Sequence, residues 1–202
     1  MTQDQLLLPT RILKIFVATL ETELGRDTLS AILVKADLPS ELIDHRASSQ
    51  LNGQQVGMAY ASIQKALRVY YGRGARGTLL RIGRIVWQRL LESASIPERI
   101  YAQLIRIYPV RVRRLSVLNL LARFLRARSD GASVHTLDLD LMLVDYVSAT
   151  TLGEAEGTPI CFVTQGMVEE ALFWATGHEH DVEEVSCKAA GADFCEFKVI
   201  TG

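Results

Sequence analysis

The hydrophobic period of this chain changes once, near residue 130, and that change restricts the fold more than any other feature. Before it, apolar residues recur every three or four positions, as in Ile12, Leu13, Phe16, Val17, Leu20 and Leu24, where Gly25 supplies a stop. After it the period becomes two: Leu137, Leu139, Leu141 and Leu143 point one way, and Asp138, Asp140, Met142 and Val144 the other. Helices first and a small antiparallel sheet afterwards give an α+β fold, an N-terminal helical layer packed on the sheet. With 202 residues, 49% of them hydrophobic, the chain is ample for one core. A single domain over 1–202 is expected, mainly helical over 1–128 and sheet-bearing over 129–202.

The pattern predicts helices over 10–24, 28–36, 54–71, 78–93, 97–107 and 110–127. Asp37-Leu38-Pro39-Ser40 interrupts the second, a short turn covers 41–45, and 46–53 reads as a loop. Pro109 separates the last two helices. A long strand is expected over 134–147 and another over 158–164. A helix over 167–175 follows, then a terminal hairpin of 182–187 with 195–200, joined at Gly191.

A net charge of −1 hides a segregation. Residues 1–128 hold 20 Lys and Arg against 9 Asp and Glu, whereas 129–202 hold 2 against 14. Opposed charge of this size is satisfied when the two parts face each other, within a chain or across a dimer; a nucleic acid or membrane is the other partner such asymmetry can meet. The aromatic residues that a single-strand binder interleaves with its cations are missing from the arginine-rich helix over 110–127. The first residues, Met1 to Pro9, carry no basic leader, and no stretch approaches a membrane span. Together with unexported, reduced thiols this points to the cytoplasm.

All three cysteines fall in the last quarter of the chain: Cys161, Cys187 and Cys195. Glu184 sits three residues before Cys187. Three thiolates and a carboxylate complete the tetrahedral shell zinc favours in structural sites, with no position left for substrate. The alternative is three buried thiols behaving as small hydrophobes. Glu184 and Cys187 point to opposite faces of an ideal strand, so a shared metal requires the strand to bend or end near Ser186.

The run from Cys161-Phe162-Val163-Thr164-Gln165-Gly166 through Thr176-Gly177 to Glu184-Val185-Ser186-Cys187, Gly191 and Cys195 resembles the vinyl-4-reductase domain. That domain is found alone in proteins linked to bacteriochlorophyll synthesis and as the sensor domain of phenol-responsive transcription activators. The resemblance implies that Cys161, Glu184, Cys187 and Cys195 bind a structural zinc. It further implies the fold shared with haem-based nitric-oxide sensors and a Golgi transport subunit, a hydrophobic ligand chamber between helices and sheet, and a homodimer.

Other motifs carry less. Gly72-Arg73-Gly74-Ala75-Arg76-Gly77 satisfies the dinucleotide pattern G-x-G-x-x-G, but an amphipathic helix precedes it where a buried strand is needed, so it reads as a hinge between helices. His178-Glu179-His180 reads as a solvated turn beside the acidic strand, with contact to the metal or its ligands as the functional alternative. Trp87 and Trp174 read as core fillers, and Asp138 with Asp140 as the wet face of a strand. Three functions follow. The first is binding of an apolar small molecule, a tetrapyrrole or an aromatic compound, with Arg81, Arg84 and Arg89 rimming the pocket. The second is reduction of a vinyl group on a chlorophyll precursor, which needs a hydride donor. The third is a docking module for a protein or an anionic membrane.

Overall fold

A computed structural model describes residues 8–44, 51–126 and 130–200. Most of the loop expected over 46–53, together with His45, Ala127 and the leader region before Leu8, lies outside the described residues. Among the described residues, seven helices precede or interleave with four strands. The helices are α1 (Thr10–Leu24), α2 (Arg26–Lys35), α3 (Gly53–Tyr71), α4 (Ala75–Glu92), α5 (Ile96–Ile105), α6 (Val110–Leu125) and α7 (Phe162–Thr176). The strands are β1 (Ala132–Leu137), β2 (Asp140–Asp145), β3 (Asp181–Ser186) and β4 (Cys195–Ile200), all antiparallel, in the order β1-β2-β4-β3.

Local chemistry explains where the helices begin. Asn52 accepts from the Gln55 amide at 2.9 Å while the Gln55 side chain accepts from the Asn52 amide at 2.9 Å, a capping box that starts α3. Ser95 and Glu98 form another at the start of α5, where Pro97 costs no hydrogen bond. Gly72 adopts φ +51° and ends α3; a single 3-10 turn, Gly72–Gly74, then leads directly into α4. The G-x-G-x-x-G run is therefore a helix-to-helix turn, as its context implies.

One expected strand is two. The chain reverses at Asp138 and Leu139, with Leu137 paired to Asp140 and Asp138 in the left-handed region at φ +53°, which Asp tolerates better than most residues. A two-residue turn preserves the alternation of residue types but exchanges their faces. Leu141 and Leu143 therefore enter the core, while Leu137 and Leu139 are 45% and 69% exposed. The strand expected over 158–164 does not form either. Cys161 is instead the residue that caps α7, so 162–164 belong to that helix.

The inner face of the sheet carries Leu141 and Leu143 from β2, Phe197 and Val199 from β4, and Val182 from β3. Helices α6 and α7 lie against the sheet, α4 packs on α7, and α1 and α3 pack on α4. The α4–α7 crossing brings backbone against backbone. A Cβ on Gly83 would stand 2.1 Å from the Val163 carbonyl oxygen, and one on Gly166 would stand 2.1 Å from that of Leu80. Each glycine thus admits the other helix's backbone, which seats the N-terminal half of α7 on the helical layer.

The charge halves do meet within one chain. Arg84 on α4 reaches Glu169 and Glu179 at 3.0 Å each, and Arg68 on α3 reaches Glu154 at 2.8 Å. Arg81 pairs with Glu23 and Arg89 donates to Thr22. These contacts correct the expectation for Arg81, Arg84 and Arg89: their partners lie on the outer surface of the helical layer, and none of the three rims an interior pocket.

Candidate metal centre and interior seam

Cys161 enters the site from the N-terminus of α7, Glu184 from β3, Cys187 from the residue after β3, and Cys195 from the first position of β4. The conflict between Glu184 and Cys187 is resolved as the spacing requires: the β3–β4 register shifts between Glu184 and Ser186, a bulge that turns Cys187 to the same side as Glu184. After Cys187, a 3-10 turn (Lys188–Ala190) and Gly191 at φ +94° return the chain to Cys195.

The four groups converge. One ligand atom from each residue lies within 4.8 Å of the others, and all four residues are buried. The Cys161 sulfur stands 3.6 Å from that of Cys195 and 4.0 Å from that of Cys187. A tetrahedral zinc with bonds of about 2.3 Å to sulfur spaces its sulfurs ~3.8 Å apart, so the thiols already hold the edge lengths of such a shell. Glu184 accepts from the Cys161 amide at 2.9 Å through Oε2, while its Oε1 is buried with no hydrogen-bond partner. A buried carboxylate oxygen left without a donor beside three sulfurs is what a fourth ligand to a cation looks like.

Electrostatics agree. Burial pushes the Glu184 carboxyl up to about 8. Hydrogen bonding from its two neighbours, and then burial, push the Cys161 thiol well up. The same contacts lower Cys187 and leave Cys195 raised to about 12, so protons are shared inside the cluster. Such a group of ligands holds protons until a cation replaces them. The Lys188 amide donates to the Cys195 sulfur at 3.3 Å, and Ser148 Oγ lies 3.5 Å from the Cys161 sulfur, giving the thiolates hydrogen-bonding neighbours. His178 and His180 stay away: they occupy the turn between α7 and β3, where Glu179 pairs with Arg84 and His180 Nδ1 contacts the His178 carbonyl.

A second buried polar group, absent from the sequence expectations, lies between the helical layer and the sheet. Gln64 and Tyr60 on α3 face Thr150 in the turn after β2, and Gln64 donates to Thr150 at 3.1 Å. The Tyr60 hydroxyl and Gln64 Oε1 are buried without a hydrogen-bond partner, although Thr150 stands beside both. Burial above all holds the phenol far above its ordinary value, so it is a neutral donor. Asp145 completes the seam: its carboxyl lies deep, although the residue as a whole is half-buried, and desolvation pushes it up to about 6 against donation from the Ser148 and Val147 amides. A cavity of about 10 Å³ lies here, lined by Leu8, Tyr60, Leu125, Asp145, Thr150 and Thr164 among others, about the room one water needs. The expected chamber is closed to this volume by Phe16 and Tyr60, edge to face at 4.8 Å, and Trp87 fills the core beyond. Trp87 and Trp174 contact each other at 6.2 Å as core residues.

The metal centre coincides with a known domain. The family model of the vinyl-4-reductase domain matches residues 146–201, a span that holds all four converging groups. No curated protein matches the chain. Among solved structures it is similar to an H-NOX protein from S. oneidensis in the Fe(II)NO ligation state. The two share 11% identity over 96% of this chain and 98% of that one, with a TM-score of 0.59. An unliganded Fe(II) H-NOX mutant from K. algicida gives 12% identity, 94% of each chain and a TM-score of 0.57. A structure probing haem distortion in the H-NOX family gives 12% identity, 94% of this chain, 92% of that one and a TM-score of 0.53. The likeness establishes the fold: helical layer and four-stranded sheet are those of the nitric-oxide sensor architecture the resemblance implied.

Proposed function

We propose that residues 1–202 form a single small-molecule-binding domain in which zinc, held by Cys161, Glu184, Cys187 and Cys195, fastens the end of the sheet to the start of α7. The convergence of three buried sulfurs and an unpartnered carboxylate oxygen carries this reading. The zinc supplies a cross-link of four chain segments and no open coordination position. Its effect is positional. The turn that holds Asp145, Ser148 and Thr150 contacts Cys161 on one side and Gln64 on the other, so the metal centre braces the wall of the seam.

The ligand we infer is largely apolar with one hydrogen-bonding end. The aromatic and aliphatic surroundings favour the body, and the unpartnered Tyr60 hydroxyl and Gln64 oxygen favour a group that both accepts and donates. A phenol or a tetrapyrrole edge has this chemistry, and entry requires the layers to part. Haem held through histidine does not fit the residues present. His135 lies on an exposed strand, and His178 and His180 lie in a surface turn, so none of the described histidines offers an interior imidazole. The resemblance adds a homodimer as the assembly, and thiols kept reduced for metal suit the cytoplasm.

Native mass spectrometry tests the reading. The expected spectrum shows one zinc per chain and, in material purified without organic solvent, an additional organic mass that Tyr60→Phe diminishes. Metal-free chains with three titratable thiols and no retained ligand would overturn it.

A further inference from the structure

Helix α5 is amphipathic the wrong way round for a helix that serves only the core. Its inward residues are Ala102 and Ile105, while Ile96, Ile100 and Leu104, spaced by four, stand on the outward face. Ile96 is 74% and Ile100 57% exposed, and Ile107 in the following turn is 76% exposed. The stripe continues into the first turn of α6 through Val110 and Val112. Of the 18 exposed large hydrophobic side chains among the described residues, 8 fall between Ile96 and Leu115. This clustering exceeds the scattered exposure that needs no explanation.

Cations border the stripe. Arg99, Arg106 and Arg111 are exposed and have no carboxylate partner among the described residues, in contrast to Arg68, Arg81 and Arg84 on the opposite side of the helical layer. Arg111 also stands in the first turn of α6, where the helix dipole is positive and no acidic residue relieves it. Uncompensated arginines placed at a cost, beside aliphatic side chains held in water at a further cost, need a partner that is anionic on its surface and apolar beneath. A second copy of this chain does not fit: an isologous contact would set these arginines against themselves. Glu98, the carboxylate of α5 itself, is taken by Ser95 and Arg11.

We propose that the ledge formed by α5 and the first turn of α6 docks on an anionic lipid bilayer, with the aliphatic stripe entering the boundary between headgroups and acyl chains and the arginines lying among the phosphates. The contact is interfacial; no helix among the described residues is long and apolar enough to cross a membrane.

Sedimentation of the full chain with vesicles decides the matter. The chain is expected to bind vesicles of phosphatidylglycerol mixed with phosphatidylcholine, to lose most of that binding in high salt, and to ignore phosphatidylcholine alone. Replacing Arg99, Arg106 and Arg111 with Gln should weaken binding by roughly 100-fold, given the usual contribution of each basic residue at such a surface. Ile100→Asp should abolish it, while Arg73→Gln with Arg76→Gln, exposed arginines on the α3–α4 turn, should not change it. All of these positions are on the surface, and unchanged helical circular dichroism confirms that each variant folds. Equal binding to neutral vesicles, no binding at all, or binding untouched by Ile100→Asp would each overturn the proposal. So would a dimer that Ile100→Asp converts to monomer, which would assign the ledge to a second copy, or capture of an acidic polypeptide in place of lipid.

Discussion

The metal centre and the interior seam are both buried, both polar and joined through the turn that carries Ser148, yet they are built in opposite ways. At the centre, four groups from within 35 residues of sequence aim at one point with sulfur separations of 3.6 and 4.0 Å. At the seam, groups 86 residues apart in sequence, Gln64 and Thr150, meet around a void the size of a water and leave a hydroxyl and an amide oxygen without partners. The contrast separates a site complete except for an ion from a site incomplete without a molecule. The first holds the fold together; the second gives up stability to keep hydrogen-bonding capacity free.

If that division is right, the largest loss comes from the centre. Cys187→Ser or Cys195→Ser should lose zinc and lower the melting temperature by more than about 10 °C, because metal binding at a structural zinc site is folding free energy. Tyr60→Phe at the seam should keep zinc at full stoichiometry. A seam variant that shed zinc, or a Cys195→Ser protein that melted like the parent, would erase the distinction.

Next comes the crossing that carries Cys161 to the sheet. Gly166→Ala drives a methyl group against the Leu80 carbonyl and should destabilise by about 3 kcal/mol, the upper part of the usual range for overpacking. Chemical denaturation of zinc-loaded protein measures it. An unchanged midpoint would show that α4 and α7 separate freely.

Asp145 probes the seam through pH. Burial raises its folded value to about 6 from an ordinary 3.8, so between those values the folded state holds the proton more tightly than the unfolded chain. The protonated form therefore contributes stability that is fully present below the lower value and lost as pH rises through the upper one. Asp145→Asn keeps an oxygen for the Val147 and Ser148 amides and removes the buried charge. It should raise the melting temperature by about 2–4 °C at pH 7.5 and leave it unchanged near pH 4. A gain confined to acid would reverse the assignment.

The smallest effect is the most specific to the seam. Without ligand, Tyr60→Phe should be neutral to stabilising by up to about 1 kcal/mol, since it deletes a hydroxyl that has no partner. In a protein whose cavity exists only for packing, ligand retention would be unaffected by the change.

What is legible in the sequence follows the same division. The centre can be read because cysteines are few and ligand spacing is local, and even the bulge at Ser186 follows from Glu184 and Cys187 lying on opposite faces of an ideal strand. Helical periods locate α1, α3, α4 and α6 to within a few residues. The hairpin at Asp138 is hidden because a two-residue turn leaves the leucine alternation intact while exchanging its faces. The strand expected over 158–164 fails because its apolar residues serve the start of α7 instead. Gly83 and Gly166 carry a signal of their own: each is a glycine well inside a helix, where it weakens the helix unless another backbone needs the space. Nothing local marks Tyr60, Gln64 and Asp145 as neighbours, since only the packing of α3 on the turn after β2 brings them together.

The central claim is a zinc ion in a shell of three sulfurs and one oxygen, and X-ray absorption at the zinc edge measures that shell directly. The account predicts three sulfur neighbours at about 2.3 Å and one oxygen at about 2.0 Å in the protein as purified, with a sulfur replaced by oxygen or the metal lost in Cys195→Ser. A shell of nitrogen and oxygen alone, unchanged by that substitution, would place the metal elsewhere and leave the three cysteines as core residues.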